Sequence, residues 1–289
     1  MAIFELNPRS LISPLGIVRF FEIFFACTAF SLVAVHYSYN GSTGDWCMFT
    51  WCFCFAVTFL ILLAEFIGLT QSLPLSWPDF TSAFSMLAAL MIFTTSVVYP
   101  SVFIKSNCSG TVCGYKGAAT AMSILCFIAY AIEVGITRAK SGEVSSFLAT
   151  VPGLLKVFEA FVACLIFSLL EKTAYQSLPG LQWCVAVYCI CFIVTTLIII
   201  LTVGRCLATL PFPLEKVLVG FNILAVLMYL TATFVWPIYS FRNYSRPQPC
   251  NSCVWDYRLG VTFLTIFNLI AYVVDLVYSS KMVFVTTPA

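Results

Sequence analysis

Eight apolar stretches alternate with short polar links along the chain, at roughly 16–36, 49–71, 80–100, 117–138, 153–172, 181–203, 214–236 and 259–281. A helix needs ~20 apolar residues to cross a bilayer, so each stretch predicts one span. Prolines punctuate the pattern: Pro74 and Pro78 lie between the second and third stretches, Pro211 and Pro213 between the sixth and seventh. Pro100 and Pro237 are expected to close the third and seventh spans, because proline donates no N–H and restricts the residue before it. Links this short place neighbouring helices antiparallel. Tyr37, Trp46, Trp77, Tyr99, Trp183, Trp236 and Trp255 fall near span ends, where an interfacial aromatic belt is expected.

The pattern repeats. Residues 16–100 fall on 153–237 without a gap. GIVRFFEIFFACTAFSL lies on GLLKVFEAFVACLIFSL, and WCMFTWCFCFAVTFLI on WCVAVYCICFIVTTLI. Apolar composition alone would not align Glu22 with Glu159, Trp46 with Trp183, Cys27 with Cys164, Cys47 with Cys184 and Pro74 with Pro211. After a longer loop the fourth stretches also correspond, IAYAIE (128–133) with IAYVVD (270–275). The chain therefore reads as all-α, a polytopic membrane protein whose eight helices form two tandem four-helix units, 14–140 and 150–285. An even number of spans per unit points both units the same way across the membrane. The repeat also argues that 16–36 is a retained span and not a cleaved signal peptide, because the same sequence returns internally.

Composition narrows the class. Of 289 residues 61% are hydrophobic and 9% charged, with Lys+Arg 14 against Asp+Glu 12. Soluble domains run at about 25% charged residues, so this chain has too little polar surface for one. It also lacks the dense basic face of a nucleic-acid binder.

Cations are nearly balanced between the two sides of the eight-span topology, so they set the orientation only weakly. The N-x-S/T sequons at Asn40, Asn107 and Asn243 all fall in loops on one side, which is then outside, with both termini cytoplasmic. Cys108 and Cys113 follow the third span, and Cys250 and Cys253 follow the seventh, on that same side. Disulfides persist in oxidising compartments. Of the three connectivities open to four cysteines, the repeat favours Cys108–Cys113 and Cys250–Cys253. A redox or half-metal role for the Cys250-x-x-Cys253 pair competes with a structural staple; a chain with one His, His36, and no thioredoxin-like context favours the staple. Cys206, next to Arg205 at an inner boundary, is a palmitoylation candidate.

Charges inside spans are functional hypotheses by default. Arg19, Glu22, Glu65, Glu133, Lys156, Glu159 and Asp275 all lie within about two turns of the inner helix ends. Arg19/Glu22 and Lys156/Glu159 are spaced i,i+3 and are expected to pair on one helix face. Snorkelling pairs that fix helix packing are the plain reading; a proton or ion path is the sharper one. The acids form one shallow layer, and no span carries a mid-span Gly or Pro break, which favours packing. Glu65 stands apart because Thr202 occupies its repeat position. No catalytic, cofactor or metal motif is present: no P-loop, no G-x-S-x-G, no H-E-x-x-H.

Two four-span units, short outer loops and a cysteine pair after each third span resemble paired MARVEL domains. The opening G-[IL]-[VL]-[RK]-x-F-E, at 16–22 and 153–159, is similar to the myeloid-associated differentiation marker family. The resemblance implies a plasma-membrane scaffold that organises cholesterol-rich membrane rafts, vesicle traffic or cell-cortex signalling without catalysis. It implies membrane lipids and other membrane or cortical proteins as partners, and no nucleic acid. It calls for no cofactor, is compatible with bound cholesterol or another lipid, and leaves oligomerisation open. The alternative is a small-solute or ion transporter or channel working through the inner-leaflet carboxylates.

Overall fold

The computed structural model describes residues 7–36, 39–104, 108–140, 146–173, 175–205, 214–242, 246–247 and 253–285. Among them are eight helices long and apolar enough to cross a membrane, and no strand. The chain divides into two compact units, Met1–Ala149 and Thr150–Ala289.

The first unit opens with a short α1 (Pro8–Ile12), followed by α2 (Pro14–Val35), α3 (Ser42–Phe66), α4 (Trp77–Phe103) and α5 (Thr111–Ala139). Each long helix packs on two neighbours, α2 on α3 and α5, α4 on α3 and α5, so the four close into a bundle. Ser13 starts α2: its hydroxyl accepts from the Gly16 amide at 3.0 Å, with Pro14 in the first turn. Gly16 has no room for a side chain, because a Cβ would collide with the Ser10 and Leu11 carbonyl oxygens of the folded-back α1. Gly68, at φ 73°, takes the left-handed conformation that ends α3 before the 3-10 turn Leu69–Gln71. The second span therefore ends short of residue 71.

The second unit repeats this plan with α6 (Val151–Leu170), α7 (Pro179–Val203), α8 (Leu214–Phe241) and α9 (Val254–Val285), α6 and α8 each packing on α7 and α9. Thr150 caps α6 through the Gly153 amide as Ser13 caps α2. Pro100 and Pro237 do not close their helices; both lie inside α4 and α8. Each proline gives up one ladder bond, but its helix resumes beyond it: the Ile104 amide donates to the Pro100 carbonyl at 2.9 Å, and Arg242 to Ile238 at 3.2 Å.

Both cores combine small residues, which let helix backbones approach, with large aromatics. Ala26, Ala29 and Ala88 in the first unit and Ala225 and Ala232 in the second are fully buried. Trp51 meets Tyr99 edge-on at 5.3 Å; at the matching positions Tyr188 meets Trp236 at 6.3 Å. The Trp and Tyr have exchanged places, which keeps the pair's volume constant. Tyr99 and Trp236 are thus core residues and do not belong to an interfacial belt, whereas Trp46 and Trp183 are exposed.

Candidate functional site

One end of each bundle encloses a cluster of charged side chains. In the first unit α2, α3 and α5 bring four of them together. The Arg19 guanidinium reaches Glu65 on α3 at 2.6 Å and Glu133 on α5 at 2.7 Å. Glu22 lies against Glu133, but neither of its carboxylate oxygens receives a hydrogen-bond donor. The expected pairing of Arg19 with Glu22 is therefore corrected: a short i,i+3 contact along one helix gives way to two ion pairs between helices. The long, forked guanidinium reaches across the bundle and serves two carboxylates on different helices at once.

In the second unit Lys156 pairs with Glu159 at 2.9 Å along α6 and with Asp275 on α9 at 2.6 Å. Its ammonium also donates to Asn222 Oδ1 on α8 at 2.6 Å, while Asn222 donates to Ser279, which donates to Asp275. Lys156 stacks 5.1 Å from the centroids of both Phe221 and Tyr272. What the units share is a cation on their first helix paired with an acid on their fourth: Arg19 with Glu133, Lys156 with Asp275.

Above this layer the same polar bonds recur in both bundles. Thr58 meets Tyr130 at 2.7 Å, and Thr195 meets Tyr272 at 2.9 Å. Trp51 donates to Ser123, and Tyr188 pairs with Thr265. The Cys126 thiol faces the Glu22 carbonyl where Asn268 donates to the Glu159 carbonyl. At the far end Lys116 donates to the Phe103 carbonyl, and Arg258, at the matching position, donates to the Ser240 and Thr173 carbonyls. These cations satisfy carbonyls at the ends of helices and links, where no further helical turn supplies a donor.

Asp79 was not among the expected charges. It anchors the chain that follows α5: its carboxylate accepts from Ser146 Oγ at 2.9 Å, the Leu148 amide at 2.8 Å and Ser76 Oγ. Lys216 occupies its repeat position, so charge inversion within an otherwise matched block was the available signal. Asn222 and Asn268 were missed as well; they stand where the first unit has Ser85 and Cys126.

Cys108 and Cys113 form a disulfide that ties the first turn of α5 to the loop before it. Cys253 is disulfide-bonded, whereas Cys250 lies outside the described residues. Asn107, Asn243 and Cys206 also lie outside them; Asn40 is exposed. Among the described residues no group of three or more His, Cys, Asp or Glu side chains is arranged to hold a metal ion.

Two apolar-surfaced helical bundles, each enclosing a cross-helix ion cluster, define a multi-pass integral membrane protein built from a duplicated four-helix unit. The family model of the membrane-associating MARVEL domain matches residues 10–136 and 147–278. The chain is 46% identical to the myeloid-associated differentiation marker homolog of Xenopus laevis, over 97% of this chain and 96% of that one. It is 45% identical to the myeloid-associated differentiation marker of Homo sapiens (96% and 91%) and 43% to the human myeloid-associated differentiation marker-like protein 2 (97% and 95%). The chain belongs to the myeloid-associated differentiation marker family, with two MARVEL domains. No solved structure matches it.

Proposed function

We propose that this protein is a non-catalytic organiser of cholesterol-rich plasma-membrane domains that serves vesicle traffic or cell-cortex signalling. The observation that carries the reading is where its polarity lies. Arg19, Glu133, Lys156, Glu159 and Asp275 are spent on one another inside the bundles, while the outer faces present large apolar residues such as Phe20, Phe24, Phe59, Phe234 and Phe267 to lipid. A protein so divided acts through lipid and through other membrane or cortical proteins. Bound cholesterol or another lipid, and association with further copies, belong to the same reading. Both termini are cytoplasmic on this reading, and the loops carrying Cys108, Cys113, Cys250 and Cys253 face outside. The Cys108–Cys113 bridge supports that orientation, because an oxidising compartment sustains disulfides. Glycosylation at Asn107 and Asn243 follows from the same placement.

Fractionation of cholesterol-rich membranes together with proximity labelling from the C-terminus tests the role. Co-fractionation with labelled cortical proteins is the expected result. Saturable solute or proton flux in reconstituted liposomes would move the assignment to the transporter alternative, for which the donor-less Glu22 carboxyl is the specific motive. An N-terminal tag stained on intact cells would reverse the orientation.

A further inference from the structure

The ion cluster of the first unit borders a cavity of about 180 Å³, framed by Arg19 of α2, Glu65 of α3, Trp77 and Thr81 of α4, Thr137 of α5 and Lys140 just beyond the end of α5. All lie toward one end of the bundle, at the N-terminal ends of α2 and α4 and the C-terminal ends of α3 and α5, and Arg19 is five residues from the start of α2. At about 1.5 Å per residue that is the depth of lipid headgroups. Glu65 is the acid of the cluster that remains accessible, with its side chain 20% exposed against 4% for Glu133. Its carboxylate takes the Trp77 indole N–H at 2.9 Å, which sets a carboxylate beside an aromatic ring. That is the pairing that holds organic ammonium groups. The Arg19 guanidinium is divided between Glu65 and Glu133, so Glu65 does not have a cation to itself. Lys140, exposed at the cavity rim, supplies the opposite charge.

These features are not part of the scaffold that both units need. Where the first unit has Glu65, Trp77 and Lys140, the matching positions of the second carry Thr202, Leu214 and Met282, although the cation-to-acid pair between first and fourth helices is kept in both. An acid, an indole and a base added together around one cavity indicate a ligand with a positive and a negative pole.

We propose that this cavity binds the headgroup of a zwitterionic phospholipid, with its ammonium at Glu65 and Trp77 and its phosphate at Lys140. An anionic headgroup fits less well, because Arg19, the other cation lining the cavity beside Lys140, is already paired with Glu65 and Glu133, and Glu65 opposes it.

Native mass spectrometry of the full chain in detergent, titrated with phosphatidylethanolamine, phosphatidylcholine or phosphatidylglycerol, tests the assignment. Wild type should retain one zwitterionic lipid about tenfold better than phosphatidylglycerol. Glu65→Gln should lower that preference to about twofold, and Lys140→Glu, an exposed change that spares the core, should weaken zwitterion binding about fivefold. Thr137→Leu, which fills the cavity, should abolish retention at an unchanged melting temperature. Competition by soluble phosphoethanolamine shows that the headgroup alone is recognised; its failure, with lipid still retained, adds the acyl chains to the site. Equal retention of the three lipids by wild type, or wild-type preference in both Lys140→Glu and Thr137→Leu, would overturn the proposal, and these two variants decide it even if Glu65→Gln does not fold.

Discussion

The two bundles solve one problem with different chemistry. Each buries a cation on its first helix against an acid on its fourth. The second unit seals it: Lys156, Glu159 and Asp275 have fully buried side chains, and Asn222 and Ser279 link Lys156 to Asp275 through hydrogen bonds. The first unit uses a guanidinium that joins three helices, and keeps one of its acids, Glu65, in reach of solvent. Sealing makes the second layer a packing device whose members depend on each other completely. Accessibility makes the first tolerant, since water can take over part of what a lost partner supplied. In a duplicated protein, the copy whose charges stay accessible is the one free to gain a ligand.

The largest test of this contrast is removal of the cation. Lys156→Ala leaves two acids buried with no counter-charge and should cost about 3–5 kcal/mol, whereas Arg19→Ala should cost about half as much because Glu65 can rehydrate. Fluorescence-detected thermal melts of the two variants in one detergent measure the difference, and equal losses would erase it. Exchanging the cations comes next. Lys156→Arg forces a larger head into a closed site and should cost about 1–3 kcal/mol. Arg19→Lys loses one of two inter-helix pairs and should cost about 1–2 kcal/mol. If Lys156→Arg is neutral, the second layer is not sealed.

Asp79 belongs to the first unit alone. Asp79→Ala removes the oxygen that accepts from both Ser146 and Leu148 and the one that accepts from Ser76, at about 1–2 kcal/mol. The effect should be local: trypsin should cut after Lys140 sooner, with the melting temperature of the bundle nearly unchanged. A protease pattern identical to wild type would remove Asp79 as the anchor. The smallest effect separates two matched acids. Glu159 accepts from Lys156, so Glu159→Gln should cost about 1 kcal/mol; Glu22 accepts from nothing and faces Glu133, so Glu22→Gln should be neutral or slightly stabilising. Equal effects would show that the acids at the two positions have the same role.

The eight spans, their grouping into two matched units and the level at which the charges sit were legible along the chain. They follow from composition and periodicity, which any lipid-exposed helix must obey wherever its neighbours lie. The repeat even exposed Glu65 as an addition to the first unit, because a position that one copy lacks is not needed by the fold they share. The i,i+3 spacing, by contrast, pointed Arg19 at Glu22, because spacing within a helix is all that one segment contains. Its actual partners, Glu65 and Glu133, are 46 and 114 residues away and meet it only when the bundle closes. Pro100 and Pro237 misled for a related reason. Proline removes one donor, which ends a helix standing alone but not one held by packed neighbours. Tyr99 and Trp236 looked interfacial by their place in the chain, and only the direction each faces on its helix put them in the core.

Residence in a membrane, eight crossings and two copies of one plan are all written segment by segment along the chain, because the cost of exposing polar backbone to lipid acts on each segment separately. Which charge meets which, where Asp79 fastens the chain and how the copies differ in accessibility were settled only when the helices packed. Those outcomes depend on contacts between helices distant in sequence, and the energy of a buried charge is set by all of its neighbours at once.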